Sequence, residues 1–222
     1  MTRLLLAKTR AVGASCCDLA WWWAQRALVL FPVFALAAPP APPPVSAAYR
    51  VELVRSARSV WGLDAPIATL AAQVHQESAW NPRAVSHVGA AGLAQFMPAT
   101  SSWISRIDPQ LAANEPFNPT WSLRALASYD LWLHERVAGR DGCQRFAMVL
   151  SAYNGGLGWV NRDKALAARQ GLDPLLWFGS VETVNAGRAP GHWRENRDYP
   201  RRILLRHERT YVDAGWGRGV CT

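Results

Sequence analysis

The 222-residue chain contains no zinc-ligand spacing, no P-loop, no recognisable nucleic-acid motif and no internal repeat. Structural zinc, nucleotide hydrolysis and solenoid architectures drop out with them. A strand-like alternation of apolar and polar residues is also missing over any useful length, which argues against a β-sandwich or barrel. No apolar run comfortably spans a bilayer, since the best one, Ala27 to Ala38, is short and interrupted by Pro32. Charge is sparse, at 18% of residues, while half of the residues are apolar, a balance that excludes disorder and leaves room for one domain with a real core plus a tail. Cysteine is scarce too. Cys16 and Cys17 fall in the N-terminal segment, leaving Cys143 and Cys221, which either pair in an oxidising compartment and pin the C-terminus to the body or remain two free thiols.

The charge that is present leans basic, at +8. The first 37 residues hold four basic side chains (Arg3, Lys8, Arg10, Arg26) and one acid (Asp18), a net +3, so the remainder carries +5. An excess of this sign favours anionic partners in general, and nothing beyond it speaks for nucleic acid. Basic residues, the short run Ala27 to Ala38 and the small-residue end Ala35-Leu36-Ala37 form a secretory pattern. Residues 1–37 therefore read either as a signal peptide or as an uncleaved membrane anchor, and the protein as exported to the periplasm or cell envelope. Pro39 to Pro44 is a proline-rich run that favours extended backbone, so residues 38–47 read as a stiff linker and 48–222 as the main domain. Of the twelve tryptophans, nine lie beyond that N-terminal segment, where they serve core packing or line a groove by stacking on sugar rings.

The domain reads as mainly α. Helices are expected over Tyr49 to Trp61, after an Asp64 cap with Pro66 in the first turn, over Pro98 to Ile107, from Asn118-Pro119 onward, over Gln144 to Tyr153, over Trp159 to Gln170 and over Arg194 to Ala214. Gly179 to Gly191 reads as a loop with room for one short β-hairpin. In the second helix Ile67, Leu70, Ala71 and Val74 keep the spacing of a buried face, and Glu77 falls on the same face. A carboxylate on a buried stripe, just before Asn81-Pro82, breaks the local rule, and such breaks mark sites. A carboxylic acid held in half-apolar surroundings stays protonated near neutral pH, as a general acid for glycosidic cleavage must.

Three blocks resemble the SLT-type lytic transglycosylases, lysozyme-like enzymes of glycoside hydrolase family 23 type that cut bacterial peptidoglycan. The first is Glu77-Ser-Ala-Trp-Asn-Pro-Arg-Ala-Val-Ser-His-Val-Gly-Ala-Ala-Gly-Leu-Ala-Gln-Phe-Met-Pro-Ala-Thr100. The second is Ser151-Ala152-Tyr153-Asn154-Gly155-Gly156, and the third Glu195-Asn196-Arg197-Asp198-Tyr199-Pro200 followed by Ile203-Leu204. They stand in the family's order across about Ala48 to Leu205. Asn196 stands where threonine is commoner, and Pro200 replaces the usual apolar residue, which leaves the placement of Glu195 and Tyr199 looser than the rest. The resemblance implies a single lysozyme-like domain of the goose-type lysozyme and SLT kind. It makes Glu77 the catalytic acid and Ser86 a substrate-binding serine that hydrogen-bonds near that carboxylate and the substrate. Gln95 and Met97 would line the groove, Tyr153 and Asn154 would flank the reaction centre, and Glu195 and Tyr199 would join the substrate-binding set. Met97 also suits gap filling in a core, and His75 and His87 read as packing or surface histidines.

No second carboxylate partner stands within the Glu77 motif. The resemblance supplies the reason, since these enzymes use one acid and the substrate's own acetamido group. Glu77 would protonate the oxygen between N-acetylmuramic acid and N-acetylglucosamine. It would then take the proton of the muramic C6 hydroxyl, which closes a 1,6-anhydro ring. No metal or cofactor is implied. Two alternatives stand beside this reading. One is a muramidase-type hydrolase in which Asp198 or Glu195 activates water, and the other a non-catalytic peptidoglycan-binding subunit of a secretion or phage assembly. The expected partner is the glycan strand of peptidoglycan, with a membrane contact through the N-terminal segment and secretion or phage proteins as further partners, and no nucleic acid.

Overall fold

The computed structural model describes residues 40–222, so the signal or anchor expected over residues 1–37 and the first residues of the linker lie outside it. Pro44–Tyr49 form a 3-10 helix whose Ser46 is buried. Helical structure among the described residues thus includes Pro44 to Ala47, within the stretch read as a linker. Proline's fixed φ suits a first helical turn as well as it suits an extended spacer. The chain continues as α1 (Arg50–Trp61), α2 (Ile67–Ser78), α3 (Pro98–Ile107), α4 (Pro119–His134), α5 (Gly142–Gly155), α6 (Leu157–Arg169), α7 (Pro190–Pro200), a π-helical segment (Arg201–His207) and α8 (Glu208–Asp213).

Local chemistry accounts for most boundaries. Asn118 caps α4 by accepting from the N–H groups of Thr120 and Trp121, with Pro119 in the first turn. Asp141 caps α5 by accepting from the Gln144 N–H, and Gly156, at φ 94°, ends it. Pro98 opens α3 at the expected residue. Asp64 does not cap α2. The cap position is Pro66, without a side-chain bond, and Asp64 is paired at the surface with Arg218 at 3.6 Å. The region between Gly179 and Gly191 holds a 3-10 turn, Val181–Thr183, in place of a hairpin. Among the described residues the only β pairing is two isolated bridges, Val85 with Ala91 and Ala91 with Phe96.

The last expected helix begins earlier, at Pro190, so Pro200 sits inside a helical run. Lacking an N–H, Pro200 breaks the regular ladder, and the next seven residues widen to π geometry before α8 resumes. α1 packs on α4, α2 on the π segment and α8, and α5 on α4, α6 and α7. Leu70, Val74, Leu126, Phe146, Met148 and Ile203 are buried in the core these contacts enclose. The C-terminus is tied down by a Cys143–Cys221 disulfide, Cα atoms 4.7 Å apart, which resolves the choice left open by the sequence.

Candidate active site

α2 is buried from Ile67 through Val74, and only its last turn reaches the surface, which places Glu77 at the border between core and solvent. Directly after Ser78 the backbone takes two left-handed residues that are not glycine, Ala79 at φ 49° and Trp80 at φ 67°. Such strain persists only where the surroundings hold it. Here they do: Trp80 is fully buried, its indole N–H donates to the Tyr211 hydroxyl at 2.6 Å, and its ring packs against Tyr49 and Trp216. The reversal thus ends α2 at Ser78, earlier than Asn81-Pro82.

The loop that follows folds on itself. Gln95, left-handed at φ 48°, donates from its side-chain amide to the carbonyls of Ala84 and Gly92. Ser86 closes the turn through its Oγ, which accepts from the Ala90 N–H at 2.9 Å. Gly92 is obligatory, because a Cβ there would lie 1.8 Å from the Pro116 carbonyl oxygen and φ is +78°. Both Ser86 and Gln95 therefore shape the wall with their own hydrogen bonds, and Ser86 lines the same cleft as Glu77.

The opposite wall comes from the end of α5 and from α7. Asn196 is buried and donates to the Ser151 carbonyl at 2.8 Å and to Asn154 Oδ1 at 2.9 Å, while its Oδ1 accepts from Ser151 Oγ and Arg197. A side chain at Gly155 would collide with Asn196 Nδ2 at 2.7 Å, so that glycine is what lets the asparagine approach. The Tyr153 hydroxyl donates to the Ala94 carbonyl at 2.7 Å and bridges this wall to the loop.

A cleft of about 280 Å³ lies between the walls. Glu77, Ser86, Gln95, Met97, Tyr153, Asn154 and Glu195 all line it. Met97, at 42% exposure, is a wall residue and not a core filler. Tyr199 is only 5% exposed and lies behind the carboxylate, its hydroxyl donating to Glu77 Oε1. Burial pushes the Glu77 carboxyl up to about 8, the Tyr199 hydrogen bond opposes that rise, and the charge of Glu195 adds to it. His87 lies at the exposed rim of the cleft, while His75 is packed against His207, ring centroids 4.3 Å apart. Asp198 is exposed, 3.7 Å from Arg202 and away from the cleft lining.

Two features were not read from the sequence. Asp130 of α4 is fully buried, accepts from Gln73 at 3.4 Å, and has its pKa pushed well up by burial, with the neighbouring charge of Glu77 adding to the rise. Its position on the α4 stripe next to Tyr129 was the available signal. The second is an aromatic depression of about 270 Å³ lined by Trp103, Tyr129 and Trp132, which shares Tyr129 and Thr100 with the cleft. The tryptophans thus divide between core, as with Trp80 and Trp177, and surface.

The model of the transglycosylase SLT domain family matches residues 53–174. The membrane-bound lytic murein transglycosylase F of Alcanivorax borkumensis is 35% identical over 109 residues, which cover 49% of this chain and 22% of that protein. The protein of the same name from Maricaulis maris is 33% identical over 125 residues, covering 56% and 26%. The chain thus spans only about a quarter of the length of these curated relatives. In fold it is similar to the 70 kDa soluble lytic transglycosylase of Escherichia coli, with a TM-score of 0.54, 22% identity, and 78% of this chain and 25% of that one covered. A complex of the 70 kDa soluble lytic transglycosylase with bulgecin A gives a TM-score of 0.53, again at 22% identity, over 80% of this chain and 26% of that one.

Proposed function

The chain belongs to the transglycosylase SLT domain family, and from that premise we propose that it is a peptidoglycan lytic transglycosylase acting through Glu77. The observation that carries this reading is a carboxyl held at the head of a cleft with its pKa raised to about 8. At neutral pH such a group still carries its proton and serves as a general acid. Glu77 donates that proton to the glycosidic oxygen between N-acetylmuramic acid and N-acetylglucosamine as the C1–O bond breaks. The muramic acetamido oxygen stabilises the anomeric carbon. The ionised Glu77 then takes the proton of the C6 hydroxyl while O6 bonds to C1, which restores the acid and leaves a 1,6-anhydro end without consuming water. Tyr153 and Asn154 are suited to hold the acetamido group, and positioning of this kind contributes heavily to such steps. Tyr199 is a positioning residue, since it reaches the substrate only through Glu77.

Hydrolysis on the same fold is the second reading, and Glu195 is what favours it, being an exposed carboxylate on the cleft lining. Asp198 is too far out on the surface to serve that role. Export to the cell envelope is supported by the Cys143–Cys221 bond, which persists in oxidising compartments, and by the basic and apolar pattern of residues 1–37. Among the described residues no helix is long and apolar enough to cross a membrane, so a membrane contact would fall to that N-terminal segment. Mass spectrometry of fragments released from purified peptidoglycan tests the chemistry, with Glu77→Gln as control. Anhydro-muramic ends that vanish in the variant are expected. Reducing ends would overturn the lyase reading in favour of Glu195-assisted hydrolysis, and an absence of product from folded protein would overturn both.

A further inference from the structure

A second cavity, of about 350 Å³, adjoins the catalytic cleft and shares Asn154 and Glu195 with it. Trp159, Arg188, Ala189 and His192 also line it. Arg188 is the least satisfied polar side chain in the described residues. It is 7% exposed, and none of its three guanidinium nitrogens has a hydrogen-bond partner. Its nearest carboxylate is Asp163 Oδ2 at 3.3 Å, but Asp163 is committed elsewhere. The Asp163 Oδ2 accepts from Arg197 at 2.8 Å and its Oδ1 accepts from the Ala186 N–H at 3.0 Å. Two buried guanidinium groups therefore share one buried carboxylate, which leaves a positive charge uncompensated. Burial lowers the Arg188 pKa to about 10, so it stays charged at neutral pH while poorly solvated. Buried polar groups left without partners are rare enough to require a reason.

The position of that charge points to the reason. Arg188 Nη1 lies just beneath Gly155 in the floor, where an added Cβ would come within 3.2 Å of it. The wall above is the first turn of α7. Its cap residue, Ala189, offers no side-chain bond, and no acid stands in that turn. Gly191 and His192 are exposed there. An uncapped helix N-terminus carries a partial positive charge and free N–H groups. The acid on the rim, Glu195, is exposed and screened by water, whereas Arg188 is not.

We propose that this cavity is a subsite for a carboxylate carried by the glycan strand being cut, recognised by Arg188 from below and by the first turn of α7 from the side. The inference rests on the glycan-cleaving reading above. A substituent projecting past Asn154 from a strand seated in the cleft enters the cavity directly, so the anion arrives covalently attached to the substrate.

The test uses two pools of soluble peptidoglycan fragments, one native and one with its carboxyl groups converted to primary amides, and three proteins: the wild type, Arg188→Gln and Gly191→Glu. The glutamate at 191 adds a carboxylate to the first turn of α7, next to the lining residue His192, from an exposed position with open space around it. It carries the test if the buried Arg188→Gln variant fails to fold. Charge-assisted recognition of one carboxylate corresponds to a KM about tenfold higher for the amidated pool with the wild type. Each variant is expected to raise KM on the native pool by a similar factor and to abolish the difference between pools, with kcat little changed. Equal KM values for both pools with the wild type would overturn the proposal, as would discrimination that survives in Gly191→Glu. Inorganic phosphate that raises the Tm of the wild type but not of Gly191→Glu, while amidation has no effect, would assign the site to a free anion and overturn it too. Binding of both pools to Glu77→Gln reads the subsite without turnover, so a failure of the catalytic reading stays distinguishable from a failure of this one.

Discussion

At the scale of single residues the proposed chemistry turns on how Glu77 keeps its proton. Its folded pKa of about 8 stands above the ordinary 4.5. Below pH 4.5 both folded and unfolded chains hold that proton, and the group is neutral for stability. Between 4.5 and 8 only the folded chain holds it, so stability falls as pH rises through this window. Glu77→Gln removes the penalty. Its unfolding free energy is expected to match the wild type near pH 4 and to exceed it increasingly towards pH 8, by on the order of 1–3 kcal/mol once screening on the cleft side is allowed for. The same variant should lose activity by about a thousandfold, as the loss of a general acid does. In the wild type kcat/KM should fall above about pH 8. Tyr199 donates to the carboxylate and holds that pKa down, so Tyr199→Phe should move the alkaline limb of the pH–rate profile to higher pH. A limb that stays put or moves down would show that the hydroxyl does not set the Glu77 pKa. Glu77 stood out in the sequence as an acid on an apolar stripe that breaks a pattern, and its role there came from the resemblance of the surrounding block. The place of Tyr199 behind it was not legible, because that contact joins two helices 122 residues apart in sequence, and no local spacing encodes a tertiary contact.

At the scale of elements, two glycines decide whether the walls of the cleft can form. A methyl group at Gly92 would overlap the Pro116 carbonyl, at a φ that disfavours any side chain. Gly92→Ala should therefore destabilise by about 2–4 kcal/mol and loosen the loop that carries Ser86 and Gln95, read as a lower Tm together with a raised KM. Gly155→Ala pushes on Asn196, which holds Asn154 in place, so its loss should appear more in turnover than in Tm. The starts of α3 and α4 were expected from Pro98 and Asn118-Pro119, because caps and prolines act within a few residues, whereas α5 starts at Gly142, two residues before the expected Gln144, behind an Asp141 cap. Asp64 looked like an equally good cap, yet the helix starts at Ile67 with Pro66 in the cap position, and Asp64 meets Arg218 from the far end of the chain at the surface. Asp130 and Arg188 were passed over for a related reason. A charge in a helix or loop reads as solvated until the elements packed over it are known.

At the scale of the whole molecule, the C-terminal residues beyond α8 are held by two independent devices. The Cys143–Cys221 bond ties them to the first turn of α5, 78 residues away in sequence. Beside it, the buried Glu208 accepts from the N–H groups of Val220 and Cys221 and from Thr69 of α2. This couples the tail to the helix that carries Glu77. A loop of that length limits the unfolded chain by about 4 kcal/mol in the chain-entropy account, which for a domain of this size is about 10 °C in Tm. Cys143→Ser with Cys221→Ser, or reduction of the wild type, should lower Tm by roughly that amount. Because Glu208 still holds the tail, the folded double variant should keep its kcat. A loss of kcat at temperatures well below the new Tm would instead mean that the covalent tie, and not the Glu208 hydrogen bonds, sets the position of α2 and of the acid at its end.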